Sequence, residues 1–383
     1  MNKPMPAPFQ LYVPDSAVYD LTERLSRTRL PDEPPMSEPW STGASLAFMQ
    51  RLIDYWRNGF DWRAQEAMLN SFRQFKAPMA GIELHFIHEQ GKGPDPMPLL
   101  LSHGWPGSIV EFHKLIPMLT DPERFGGDPA DAFTVVAPSL PGYTLSYRNG
   151  QKRFSIDEIA ELFAELMTGV LGYERFGAQG GDWGAFITSR LGYRFPERLT
   201  GIHLNLLVIY GLKMLETAEE KAYKTYMDKW LQEETGYQWI QGTRPTTLAF
   251  GLTDSPAGLA AWIVEKFRAW TDNTGDPDSA LTLDEMLTNI SLYWFTGAIG
   301  SSFWPYYAIR HGSWPIPQGA QITVPTGYAE FPREIMRPPR SVAERVYANI
   351  RRWSLMPRGG HFAALEQPEA LAREIREFFR PLR

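Results

Sequence analysis

From Gly81 onward, short apolar strands alternate with helical stretches, and this alternation restricts the chain to a mostly parallel sheet with helices on both faces. Ile82, Leu84 and Phe86 alternate as a strand, and Leu99, Leu100 and Leu101 form a short run of the buried type. Predicted helices over 110–119 and 156–171 flank a strand at 133–137, and strands follow at 175–179 and 199–204. The rhythm lapses between about 205 and 318, where tyrosine- and tryptophan-rich helical text dominates. It resumes with strands at 321–324 and near 353–356 and a closing helix over 368–379. Residues 1–80, rich in proline and tryptophan, predict helices joined by proline breaks: one after Asp15 stopped by Pro31, then 46–58 and 64–75. The expected plan is an N-terminal helical meander (1–80), a first core part (81–204), a helical lid insertion (205–318) and a second core part (319–383).

Composition excludes several classes of function. The 383 residues include no cysteine, so there is no disulfide framework, thiolate nucleophile or cysteine-held metal, which fits a reducing compartment. A net charge of −6 without a basic stripe argues against a nucleic-acid partner. The N-terminal text lacks the apolar stretch of a signal peptide. The greasiest run, 202–212, is interrupted by His203 and Asn205 and is far short of the roughly 20 residues that span a bilayer. The expectation is a soluble, cytoplasmic globular protein that needs no membrane, metal or cofactor; homo-oligomerisation is left open.

The stretch Gly180-Gly181-Asp182-Trp183-Gly184 stands between a predicted strand and a predicted helix. It matches the nucleophile-elbow pattern, with aspartate where serine is usual. Glycines permit the sharp turn that lifts the central side chain into an open site, and the helix N-terminus favours a carboxylate there. An N-cap aspartate after a glycine turn is the bland alternative. His103-Gly104-Trp105-Pro106-Gly107-Ser108 follows the strand at 99–101, where a loop would contribute to an oxyanion hole. The expected backbone donors are Trp105 and Trp183.

A base and an orienting acid complete such a constellation. His361, in Gly359-Gly360-His361-Phe362 before the last helix, holds the triad histidine's place in chain order. His85, His88, His103, His113, His203 and His311 read as structural or surface groups, and Asp276, Asp278 and Asp284 as loop or capping acids in the insertion. The acid after the predicted strand at 321–324 is Glu330 or Glu334. A serine alkylated by an epoxide would form an inert ether, whereas an aspartate forms an ester that water can cleave. Aspartate at the elbow therefore points to substitution at carbon followed by ester hydrolysis, and away from peptidases, lipases and thioesterases. Opening an epoxide also requires a proton donor, and the insertion holds several tyrosines.

Taken together, the motifs HGWPGS, EFHKLIPMLTDP, APSLPGY, GGDWG, SPAGLAAWIVEKF, LTNISLYW, VPTGYAEFPRE and RGGHFAALEQPE, with FDWRAQEAMLNSFRQF before them, resemble the microsomal-type epoxide hydrolase family. The resemblance implies an α/β-hydrolase fold, a small hydrophobic epoxide as substrate, and Asp182 and His361 as nucleophile and water-activating base. It assigns the orienting acid to Glu334, within Phe331-Pro332-Arg333-Glu334, and lid tyrosines to Tyr237 and Tyr306, the latter in a register that adjacent Tyr307 leaves open. Trp230, Trp239 and Trp294 could line the pocket, though core packing is the expected role for each. The N-terminal anchor of membrane-bound members is missing from this text. A haloalkane or haloacid dehalogenase shares the aspartyl-ester chemistry, but typically carries asparagine where Trp105 stands. A catalytically silent binding protein would be expected to have lost one of the three central residues.

Overall fold

The computed structural model describes residues 5–209 and 215–383, so the end of the apolar run 202–212 lies outside the described residues. Its strands form one nine-stranded sheet: β1 (Ala7–Phe9), β2 (Gln74–Met79), β3 (Ile82–Glu89), β4 (Met97–Ser102), β5 (Phe133–Pro138), β6 (Phe176–Gly180), β7 (Leu199–Leu204), β8 (Thr326–Glu330) and β9 (Ile350–Leu355). Their spatial order is β1-β2-β3-β5-β4-β6-β7-β8-β9. The β1–β2, β2–β3 and β3–β5 pairs are antiparallel, and every pair from β5 to β9 is parallel. All of β5 is buried, as a strand covered by helices on both faces must be. This is the α/β-hydrolase architecture that the alternation and the motif order imply.

The strand order reverses at β4, whose neighbours are β5 and β6, and ligands of open α/β sheets bind at the carboxyl ends of strands around such a reversal. Ser102 pairs with Gly180, so the loop after β4 and the turn after β6 start side by side. Between β7 and β8 the chain leaves the sheet for a set of helices that begins with Ala218–Glu233 and ends with Trp304–His311.

Three elements differ from expectation, each for a local reason. The N-terminal segment is not wholly helical: its helices Asp15–Ser26, Leu46–Asn58 and Trp62–Asn70 are flanked by β1 and β2. The helix expected over 64–75 stops at Asn70, whose side-chain amide behaves as a strand backbone toward Leu11. The Leu11 amide donates to Asn70 Oδ1 and Asn70 Nδ2 donates to the Leu11 carbonyl, both at 2.8 Å. A tight hairpin with Ala80 and Gly81 at φ 48° and 83° then joins β2 to β3, which is the primed-turn geometry that suits twisted strands. The strand expected at 321–324 is only an isolated bridge from Ile322 to Tyr347; the ladder starts beyond Pro325, which has no N–H to give. Finally, the stretch 110–119 splits into a 3-10 turn, Ile109–Phe112, and the helix Leu115–Thr120.

The N-terminal helices clasp the insertion. Trp56 Nε1 donates to Ser291 Oγ at 3.1 Å, Tyr55 Oη to Asp284 at 2.8 Å and Trp40 Nε1 to Asp276 at 2.9 Å. Arg51 bridges Asp276 and Asp278 at 3.0 and 3.1 Å, so these acids tie two segments together. Among the described residues no helix is long and apolar enough to cross a membrane.

Asn70→Ala should strand both backbone groups of Leu11 in a partly buried place. The expected cost is about 1–3 kcal/mol, read as a lower urea midpoint with an unchanged slope. An unchanged midpoint would show that water replaces the amide without loss.

Candidate active site

Asp182 sits at the turn between β6 and the helix Trp183–Arg194 with φ 48° and ψ −129°, a strained conformation for a residue with a Cβ. Close approach makes the flanking glycines obligatory. A Cβ on Gly180 would lie 2.2 Å from the Gly184 carbonyl oxygen, and one on Gly184 would lie 1.8 Å from that of Ser102. The turn therefore packs directly on the end of β4. From the loop beyond, the Trp105 amide donates to Asp182 Oδ1 at 2.7 Å. Gly104 is the residue that lets the carboxylate in, since a Cβ there would stand 2.1 Å from Oδ1. The lid helix Leu283–Thr296 holds this loop from above: Asn289 Nδ2 donates to the Pro106 carbonyl at 2.8 Å, and Tyr293 Oη to that of Gly107 at 2.7 Å.

Across from Asp182, His361 presents Nε2 to Oδ2 at 3.3 Å, and its Nδ1 meets Glu334 Oε1 at 2.7 Å. Both His361 and Glu334 are buried. The loop carrying the imidazole is pinned by its own amide, which donates to the Trp270 carbonyl at 2.8 Å, and the Trp270 ring stands edge-on to the imidazole at 5.1 Å. The Arg333 amide donates to the Gly359 carbonyl at 3.1 Å, joining the acid's loop to the histidine's. Burial on its own would push the imidazole's pKa down. Glu334 and the hydrogen bond to Asp182 outweigh it and hold His361 well above its usual value, so the resting group is an imidazolium between two carboxylates. Glu330 is half-buried against Trp353 and makes no contact with His361.

Of the other histidines, all but His203 hydrogen-bond a local partner. His85 lies between Ser139 and Gln74, His88 bonds Tyr173, and His113 bonds the Val110 carbonyl. Burial pushes His103 down to about 4, and its Nε2 accepts the Leu140 amide as part of the loop's scaffold. His203 is buried within β7 and His311 stacks on Tyr307 at the surface.

A cavity of about 400 Å³ opens above Asp182. Tyr237 and Tyr306 line it, with ring centroids 5.7 Å apart, and Leu206, Met227 and Trp230 form part of an apolar wall. Tyr237 stacks on Trp105 at 5.4 Å, and Tyr306 stands edge-on to Trp183 at 4.6 Å. Tyr307 lies outside, stacked on Trp304, so the geometry favours Tyr306 in the pair. Burial, then the charge of Asp182, raises the Tyr237 phenol above its ordinary pKa; burial and then Tyr237 raise that of Tyr306. Both phenols carry their protons at neutral pH. Trp239 is half-exposed at the mouth with the Arg310 guanidinium 3.9 Å above its ring. Trp294 is not a wall of this cavity: it lies outside, with Arg24 over its ring at 5.6 Å. Sequence reasoning also missed Asn289, Tyr293 and Gln238, whose amide donates to Tyr237 Oη at 2.9 Å, because polar residues in helical text carry no positional signal.

Residues 6–112 match the family model described as epoxide hydrolase N terminus, and residues 97–235 that of the alpha/beta hydrolase fold. The chain is 46% identical to a protein of Stigmatella aurantiaca, over 98% of this chain and 85% of that one. It is 38% identical to epoxide hydrolase 1 of Oryctolagus cuniculus, over 97% of this chain and 88% of that one. The chain belongs to the epoxide hydrolase family. Among solved structures, juvenile hormone epoxide hydrolase from the silkworm Bombyx mori superimposes with a TM-score of 0.88 at 30% identity, covering 99% of this chain and 95% of its own. The epoxide hydrolase of Aspergillus niger gives 0.85 at 30% identity, covering 100% and 99%. The family likeness thus includes the N-terminal segment and the lid as well as the sheet.

Because two carboxylates hold the imidazolium, removing either should lower the His361 pKa. Asp182→Asn and Glu334→Gln should each shift the titration of the ring to lower pH, Glu334→Gln by more, since Glu334 contributes most among the groups that raise it. Nitrogen-15 NMR of the labelled ring measures this directly; a titration unmoved by Asp182→Asn would mean the 3.3 Å contact is not an ion pair.

Proposed function

We propose that the protein hydrolyses hydrophobic epoxides to vicinal diols through an ester formed on Asp182. The observation that carries this reading is the division of labour at one carboxylate that lines the cavity: Oδ1 is held by the Trp105 amide, while Oδ2 faces His361. Oδ2 attacks an epoxide carbon, the ring C–O bond breaks, and its electron pair goes to the epoxide oxygen. Tyr237 and Tyr306 hold that oxygen, and Tyr237 supplies its proton. Oδ1 becomes the ester's carbonyl oxygen, already seated against the Trp105 amide, with the Trp183 amide at the helix N-terminus as its expected second donor.

Esterification also resets the base. With the charge of Asp182 gone, one of the two carboxylates that kept His361 protonated is lost, and the imidazolium gives up its proton to restore the phenol. The neutral ring, oriented by Glu334, then deprotonates the water that attacks the ester. Collapse releases the diol and regenerates the carboxylate–imidazolium pair, so every proton is accounted for. Halide displacement needs no proton for its leaving group, so it leaves the acidity of the two phenols unused. The apolar wall suits an alkyl or aryl substituent, held by burial more than by hydrogen bonds.

His361→Gln should undergo ring opening but not hydrolysis. Intact-mass spectrometry after mixing with styrene oxide should show the protein plus one epoxide mass, and Asp182→Ala should show none. A His361→Gln protein that binds substrate without gaining mass would overturn the two-step reading, and halide release from a haloalkane at a comparable rate would favour the dehalogenase.

Each single Tyr→Phe change at 237 or 306 should slow ring opening about 10- to 100-fold, and the double change should nearly abolish it. Wild-type single-turnover rates in the double variant would reduce both phenols to pocket walls.

A further inference from the structure

Lys266 lies in the helix Pro256–Trp270 with its side chain only 7% exposed, a costly place for an ammonium group. Its Nζ stands 4.6 Å from the centroid of the Tyr237 ring and 5.6 Å from that of Trp270. The neighbouring Glu265 carboxylate pairs with it at 2.6 Å and is itself partly exposed. Lys266 is not among the residues that line the cavity, so it meets no substrate. A leucine or methionine would fill the same volume between two aromatic rings without the desolvation cost. The burial of a charge against this particular ring therefore calls for a reason.

We propose that Lys266 is a positioning residue that acts through Tyr237: its ammonium fixes the ring and stabilises the negative charge that the phenol acquires as it protonates the epoxide oxygen. This rests on the reading of Tyr237 as the proton donor. The contact begins as a cation over a neutral π face. As the Oη–H bond breaks and the proton passes to the epoxide oxygen, electron density spreads from Oη into the ring, and the same contact becomes cation to anion. An interaction that strengthens along the reaction coordinate raises the rate of the step, whereas one of constant strength raises only binding.

The surroundings make this help necessary. Burial, the Asp182 charge and Glu265 all oppose charge on Tyr237, and only the hydrogen bonds from Gln238 and Tyr306 act the other way through its oxygen. Lys266 adds a positive charge at the ring, and Glu265 sets how much of it the ring feels. Trp105 stacks on the ring at 5.4 Å, so the cation also helps to keep the phenol in the orientation the oxyanion loop imposes. The proton later returns from His361, so the charge on the phenol lasts only from ring opening to that transfer.

The test measures single-turnover ester formation with styrene oxide in the His361→Gln protein, with ester hydrolysis followed separately in the protein that keeps His361. Lys266→Met should slow ester formation by about 10- to 30-fold, the scale of a desolvated cation–π contact. Ester hydrolysis should be unaffected, and Lys266→Arg should restore ester formation to within about threefold. In a Tyr237→Phe background, Lys266→Met should have no further effect, because no charge develops on a phenylalanine ring. If Tyr237→Phe by itself leaves ester formation unchanged, the proton-donor reading falls. If Tyr237→Phe slows it but Lys266→Met does not, or slows it equally in both backgrounds, the role of Lys266 falls and the donor reading stands. Should Lys266→Met fail to fold, Glu265→Gln carries the test. Leaving the ammonium unneutralised should speed ester formation in the presence of Tyr237 and not in its absence, and a rate that is unchanged or lower would overturn the proposal.

Discussion

The 2.7 Å hydrogen bond from the Trp105 amide to Asp182 Oδ1 joins residues 77 positions apart, and much of the molecule is arranged so that it can form. Two backbones must approach closer than side chains allow, which is why Gly104, Gly180 and Gly184 face one another at the ends of β4 and β6. The parallel register that pairs Ser102 with Gly180 brings those ends level. The strained φ of Asp182 turns its carboxylate toward the loop, and the rigid sheet below keeps the strain from relaxing. In the proposed reaction the same contact has two roles in time: it holds a carboxylate oxygen in the resting protein and a carbonyl oxygen, then an oxyanion, once an ester forms.

Charge is distributed around that point with similar economy. The array Glu334–His361–Asp182 holds two carboxylates and one imidazolium in a buried place, and it is tolerable because each ring nitrogen is occupied. On the far side of the cavity burial raises the pKa of both phenols, so in the proposed reaction the site separates a nucleophile that must be ionised from donors that must not be. The apolar wall between them strengthens both effects by excluding water from the reacting carbon.

What the sequence revealed follows from the range of each physical requirement. The elbow was legible because a steric demand for glycine on both sides of one residue is written within five positions. His361 was legible because a glycine-rich loop between the last strand and last helix leaves little else for it to do. Glu334 and Glu330 were not separable by pattern alone, since both lie beyond the same strand; only the path of the chain after β8 turns one toward Nδ1 and leaves the other against Trp353. Adjacent Tyr306 and Tyr307 differ by about 100° around a helix, and which one faces the cavity depends on how the helix Trp304–His311 is seated. Trp294 was a plausible wall by composition, yet it stands on the face of its helix that meets Arg24. Strand β2, which pairs with β1 and β3, was hidden because the helix before it ends early where the Asn70 side chain bonds Leu11, and no periodicity announces that exchange.

The N-terminal segment gains its significance from the helix Leu283–Thr296. That helix grips the loop after β4 through Asn289 and Tyr293 on one side, and on another it receives Trp56 at Ser291 and Tyr55 at Asp284. A displacement of this helix would carry the carbonyls of Pro106 and Gly107 with it, and the Trp105 amide is one residue away. The N-terminal helices thus brace, through two layers of hydrogen bonds, the donor that Asp182 needs. A sheet with a lid alone would leave this helix anchored only by the lid's own packing. Bracing it from outside helps the loop beneath keep its geometry, which is what the Trp105 amide would need to act on an ester carbonyl in the proposed reaction.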